Sequence, residues 1–197
     1  MSGKKTYTVP VLLLVITVLA VLIVALYSKW LLDDQSSKTD RGMQLASEYN
    51  GCLTMASLLN EEVGNLAQSA DAAERLPIKQ RLGQAQGLSG ECVNVLYKSA
   101  LLNGQTKEQA AEAASGPLQT LWTKLEPIGN HDGPLTSNEQ NILKLVQEAG
   151  AELEQTLQAY TVPTSGDRYR QMAAGDEWPD SAQKALEQLR QLADALK

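Results

Sequence analysis

Two cysteines, one histidine and three tryptophans are the side chains here whose types suit chemistry or recognition beyond ordinary packing. Cys52 and Cys92 are the only thiols, and a run of turn formers, Ser69 to Pro77, lies midway between them. In an antiparallel hairpin, residues equidistant from the turn sit at one height, and both cysteines fall on apolar faces of helical patterns. A disulfide stapling that hairpin is one expectation. Two buried thiols behaving as small hydrophobes are the other. Neither cysteine has a His or second Cys at ligand spacing, so no metal site is expected.

His131 is the sole histidine, in the loop Gly129-Asn130-His131-Asp132-Gly133-Pro134. A general base needs a positioned partner and a pocket, so an exposed loop residue is the expectation. No P-loop, G-x-G-x-x-G, G-x-S-x-G or H-E-x-x-H pattern occurs. Glu61-Glu62, Asp71 with Glu74, and Asp176-Glu177 read as solvated or capping charges. Catalytic residues and cofactors are therefore expected to be none, and the chain reads as a non-enzyme.

Trp122 lies among Leu118, Leu121 and Leu125, a core position by default and a partner contact in the sharper reading. Trp178, in Asp176-Glu177-Trp178-Pro179-Asp180, is an aromatic in a polar stretch. It either docks on its own domain or anchors a partner. Leu186, Leu189 and Leu196 form a narrow stripe near the C-terminus. That stripe suits packing within the chain, a homodimer, or a partner's groove.

The elements that must position these residues are helical. Ala, Leu, Gln, Glu and Lys dominate beyond the first 25 residues, and no alternating strand pattern stands out. Phe is absent and aromatics are 5%, so the core should be aliphatic. The net charge of −6, with no Lys/Arg stripe, argues against nucleic acid.

A first soluble helix is predicted from about Asp40 to Gln68, with Leu45, Tyr49, Cys52, Ala56, Leu59, Val63 and Leu66 on one face. A second is predicted from about Ile78 to Leu102, weakened by Gly83, Gly87 and Gly90. Thr106 with Gln109 and Thr136 with Glu139 match capping boxes. They start helices ending near Ile128, with an interruption expected at Gly116-Pro117, and near Tyr160. A mobile linker follows, and a last helix runs from about Ser181 to Lys197.

The N-terminus carries a different signal. Val9 to Tyr27 is nineteen uncharged residues. Such a helix spans about 28 Å, close to the hydrocarbon thickness of a bilayer. Tyr7, Tyr27 and Trp30 sit where interfacial aromatics belong. Pro10 falls in the first turn, where its missing N–H matters least. The run is long for a cleaved signal peptide, and Tyr27-Ser28-Lys29-Trp30 is a poor cleavage context. Lys4 and Lys5 before the span, against Asp33, Asp34 and Asp40 after it, place the N-terminus in the cytoplasm and the rest outside. Eight residues precede the span, and no cytoplasmic signalling module is expected there.

The layout resembles the N-terminal region of YpeB-type spore germination proteins. The nearest local match is Pro134-Leu135-Thr136-Ser137-Asn138-Glu139, leading into Leu143-Lys144-Leu145 and a polar helix to Gln158. With the helix spacing before it, the resemblance covers roughly Leu12 to Tyr160 and does not include the C-terminal repeat region of that family. It implies a non-enzymatic membrane partner that holds or stabilises a cell-wall lytic enzyme, and it supplies no site residues.

The expected architecture is all-α: a tail over 1–8, a transmembrane anchor over 9–32, and an extracytoplasmic antiparallel bundle over 33–162. A linker over 163–179 and an amphipathic helix over 180–197 complete it. The expected partners are the lipid bilayer and a protein of the cell envelope. A sensory or ligand-binding bundle working with a partner membrane protein is the competing function.

Overall fold

A computed structural model describes residues 8–197, with side chains from residue 11 on. The expected tail, Lys4, Lys5 and Tyr7 thus lie outside the described residues, apart from Thr8. Seven helices, and no strand, occur among the described residues.

Helix α1 (Thr8–Gln68) is one continuous rod of 61 residues, about 90 Å long. Its first part is exposed on every side, with Val11 through Leu32 offering apolar surface all round. This helix is long and apolar enough to cross a membrane. Its second part buries the expected stripe, Leu45, Tyr49, Cys52, Ala56, Leu59, Val63 and Leu66.

Asp33 to Thr39 continues the helix from the apolar part into the bundle. No Gly or Pro occurs from Val11 to Arg41. Local pairs also support the stretch: Lys38 bridges Asp34 at 2.7 Å, and the Arg41 guanidinium donates to Ser37 Oγ at 3.0 Å.

The return arm of the hairpin is two helices, α2 (Ala72–Gly87) and α3 (Ser89–Leu102), meeting at Leu88. The glycine-weakened stretch does break. The start, however, lies six residues before the expected Ile78. Asp71 Oδ1 accepts from the Ala73 and Glu74 N–H groups at 2.9 and 3.0 Å, and Glu74 accepts from Ala70 N–H at 2.8 Å. That cap is strong enough to carry Pro77 inside the helix, near its N-terminal end, where a single hydrogen bond is lost.

Helix α4 (Lys107–Leu125) also runs unbroken through Gly116-Pro117, contrary to the expected interruption. Ala114 before the proline, and Leu118, Leu121 and Trp122 after it, are buried, so packing on both sides holds the helix together. Capping boxes at Thr106/Gln109 and Thr136/Glu139 open α4 and α5 (Ser137–Gln158).

The largest departure is in the expected linker, 163–179. It contains α6 (Gly166–Ala174), which lies along α1. Pro163 and Met172 are buried. Gly42 makes this possible, since a Cβ there would collide with the Tyr169 carbonyl. Gly175, at φ 91°, ends α6 in the left-handed conformation that glycine adopts without strain.

Helix α7 (Trp178–Ala195) is likewise no appendage. It packs on α3, α4 and α5 and closes the core opposite α1, which meets α2, α3, α5 and α6. Its stripe is apolar enough to become a bundle wall, which is why it does not stand apart.

Candidate functional site

The chain reverses direction at each end of the bundle. The end farther from the apolar part of α1 holds the turn into α2 and the loop between α4 and α5. Two cations on α2, four residues apart, organise that loop. Arg75 is buried, and its guanidinium donates to Ser69 Oγ at 3.1 Å, to the His131 carbonyl at 3.1 Å and to the Gly133 carbonyl at 2.6 Å. Lys79 donates to the Glu126 and Ile128 carbonyls at 3.0 and 2.9 Å, and to Asn130 Oδ1. It thereby caps the C-terminal carbonyls of α4, the favourable end for a cation. Burial lowers the Lys79 pKa from its ordinary value, and the nearby charges of Glu126 and Glu139 oppose that fall.

Glu139 ties the loop from the other side. Its carboxylate accepts from Gly129 N–H at 2.7 Å, from Thr136 N–H at 2.8 Å and from the Thr136 hydroxyl at 2.8 Å. His131 Nε2 lies 2.9 Å from the same carboxylate. Burial by itself would raise the Glu139 pKa. The backbone hydrogen bonds from Gly129 and Thr136, with those from His131 and the Thr136 hydroxyl, outweigh it and bring the value down to about 2. The bond to Glu139, then the contact with the Asp132 carbonyl, raise the His131 pKa.

His131 is therefore part of a loop clasp. The hydroxyl nearest to it in this network, that of Thr136, is engaged with the Glu139 carboxylate and N–H. This arrangement orders a turn and favours the protonated form of the imidazole.

Beside the clasp, between α2 and α4, is a recess of about 260 Å³. Leu82, Trp122 and Leu125 form its apolar floor; Lys79, Gln86 and Asn130 stand at its polar rim. The Trp122 indole N–H donates to Ser89 Oγ at 2.7 Å, which fixes the ring in the wall. No family model, no curated protein and no solved structure matches the chain. An apolar floor with a few fixed polar groups suits a small ligand or a single inserted side chain.

Of the residues the sequence singled out for partner contact, Trp122 borders this recess, and Leu186 borders another of about 330 Å³ between α3 and α7. Trp178 is 1% exposed, and its indole N–H donates to the Met172 carbonyl at 2.9 Å. It is the plug beneath α6. Leu186, Leu189 and Leu196 are buried in the core. Of the alternatives for these four, packing within the chain is what the structure has: their apolar area is taken up by the chain's own bundle.

Cys52 and Cys92 do come together as a disulfide, with Cα atoms 4.1 Å apart, joining α1 to α3. Arg75 and Lys79 were missed. Their signal was there, two cations at i and i+4 facing a Gly/Asn/Asp-rich loop, but nothing local says which loop they face.

Two charged clusters flank the disulfide. Glu48 accepts from Lys98 at 2.5 Å, from Gln44 at 3.0 Å and from Asn94 at 3.4 Å. Glu62, 1% exposed, accepts from Arg81 at 2.9 Å. Both carboxylates are satisfied, as buried charges must be.

Proposed function

We propose that this chain is a membrane-tethered, extracytoplasmic interaction protein without enzymatic activity, serving as an accessory to another protein of the cell envelope. The observation that carries the reading is the continuity of α1. One unbroken helix runs from an all-round apolar segment into the bundle core. A bundle built on such a rod stands at a set height above the bilayer, as suits a scaffold. Lys4 and Lys5 before the span favour a cytoplasmic N-terminus, and a disulfide in the bundle favours an oxidising compartment for the rest. The resemblance to YpeB-type proteins makes a cell-wall lytic enzyme the partner class of choice.

Cross-linking the full-length chain in intact envelopes, followed by affinity purification in detergent, tests this. One envelope protein should be enriched reproducibly over a control in which the bundle is replaced by an unrelated exported helical domain. Equal recovery from both would remove the proposal.

The recess beside Trp122 favours a second reading, a ligand-binding bundle that reports to a partner membrane protein. A ligand binding only the folded state at one hundred times its Kd adds about 2.7 kcal/mol of stability. A thermal-shift screen of the detergent-solubilised chain with and without Trp122→Ala reads it directly. A shift that survives the substitution would place the ligand elsewhere.

A further inference from the structure

We infer that this chain is the substrate of a thiol-oxidising reaction that acts on it before the bundle closes. The inference takes the cystine of the structure and, for the oxidising compartment, rests on the exported reading above. Cys52 and Cys92 are each 0% exposed. So are their helical neighbours Tyr49, Met55 and Ala56 on α1, and Val95 and Leu96 on α3. Thiol–disulfide exchange requires a thiolate to approach a sulfur in line with the bond being broken. In the closed bundle, neither sulfur offers that approach.

Chain order supplies the opening. The two cysteines are 40 residues apart, in the first hairpin. Helices α5 and α7, which pack on α1 and α3 respectively, come later in the sequence. A chain emerging N-terminus first exposes the α1–α2–α3 hairpin with both thiols while residues 137–197 have still to arrive. The oxidation belongs in that interval.

The step is balanced by a disulfide oxidant. One cysteine loses its proton, and its thiolate attacks a sulfur of the oxidant's disulfide. A mixed disulfide forms, and one oxidant thiolate leaves and takes up a proton. The second cysteine, also deprotonated, then attacks the first cysteine's sulfur. The Cys52–Cys92 bond forms and the second oxidant thiolate is expelled. Two thiols are oxidised to cystine, and one disulfide is reduced to two thiols.

The test uses the full-length chain in detergent. Reduced, unfolded protein is refolded with glutathione disulfide present from the start, or with the same concentration added after refolding. Cross-linking is followed by alkylation and mass. Addition after refolding should be at least tenfold slower, and equal rates would overturn the proposal. Dithiothreitol should likewise reduce the native bond at least a hundredfold more slowly than the bond in denaturant. In cells, Cys92→Ala leaves Cys52 to hold the mixed disulfide, and it needs no folded state to do so. A protein-sized adduct identifies a protein oxidant, and an adduct of small-thiol mass a low-molecular-weight one. A free thiol on both this variant and the wild-type chain from cells, with the order-of-addition result intact, would overturn the proposal together with the exported reading it rests on, whereas equal rates of oxidation overturn the proposal alone.

Discussion

The two parts of α1 are the same helix built for two surroundings. From Val11 to Leu32 its apolar side chains point in every direction and all are exposed. From Leu45 to Leu66 they are confined to the faces covered by α2, α3, α5 and α6, while Glu61 and Asn50 remain outside. The backbone hydrogen bonds are alike in both. What differs is where the apolar area lies: all round in the first part, which is long and apolar enough to cross a membrane, and under neighbouring helices in the second. A helix that changes from one pattern to the other without a break holds the apolar segment in line with the bundle.

The most severe break of that comparison is charge in the first part. Ile16→Arg with Leu19→Arg should release the chain from the membrane fraction on alkaline extraction, since each arginine near the centre of a span costs about 2.5–3.5 kcal/mol. Retention in the pellet would mean that the bundle, and not α1, holds the membrane.

Truncation separates the two parts more finely. Leu59→Ala, at a fully buried position, should lower unfolding stability in denaturant by about 2–5 kcal/mol. Leu22→Ala, exposed in the first part, should leave the bundle's unfolding midpoint where it was. Equal effects would show that the two parts unfold as one unit.

A smaller effect is expected at the far end. Arg75→Ala leaves the His131 and Gly133 carbonyls without their donor and should cost about 1–3 kcal/mol. Faster amide exchange should be confined to residues 129–136. Exchange that spreads along α1 would mean that the clasp supports the whole hairpin.

The least effect is a pH dependence. The folded pKa of Glu139 is depressed to about 2, so its contribution is full above the ordinary carboxylate value and is lost as pH falls through the folded one. The folded pKa of His131 is raised, so its contribution is full below the ordinary imidazole value and is lost as pH rises through the folded one. The clasp is therefore tightest between about pH 4.5 and 6.5. Glu139→Gln should flatten the stability profile on both sides of that window and bring the His131 titration back toward its ordinary midpoint by NMR. An unmoved His131 titration would mean that the ion pair is absent in solution.

Helix identity was largely legible because 3.6-residue periodicity and capping boxes are local signals. The stripe from Leu45 to Leu66 and the starts after Thr106 and Thr136 all appear where the pattern puts them. The starts and breaks that moved involve proline or a cap. Pro77 and Pro117 look like stops, yet Asp71 and the buried neighbours of Pro117 outweigh them. Residues 163–179 looked like a linker because Gly166, Asp167 and Gly175 obscure a nine-residue helix whose partner, α1, is over a hundred residues away in sequence.

By itself, the sequence determined the all-helical class, the apolar rod at the N-terminus and the stripe that continues from it, because side-chain period and hydropathy act over a few turns. Only the tertiary structure decided that α6 lies along Gly42 and that Trp178 and the α7 leucines face inward. It alone aimed Arg75 and Lys79 at the 129–134 loop. Those outcomes depend on which surfaces meet across long stretches of chain, and an apolar stripe or a lone cation does not specify its partner until the rest of the bundle has closed around it.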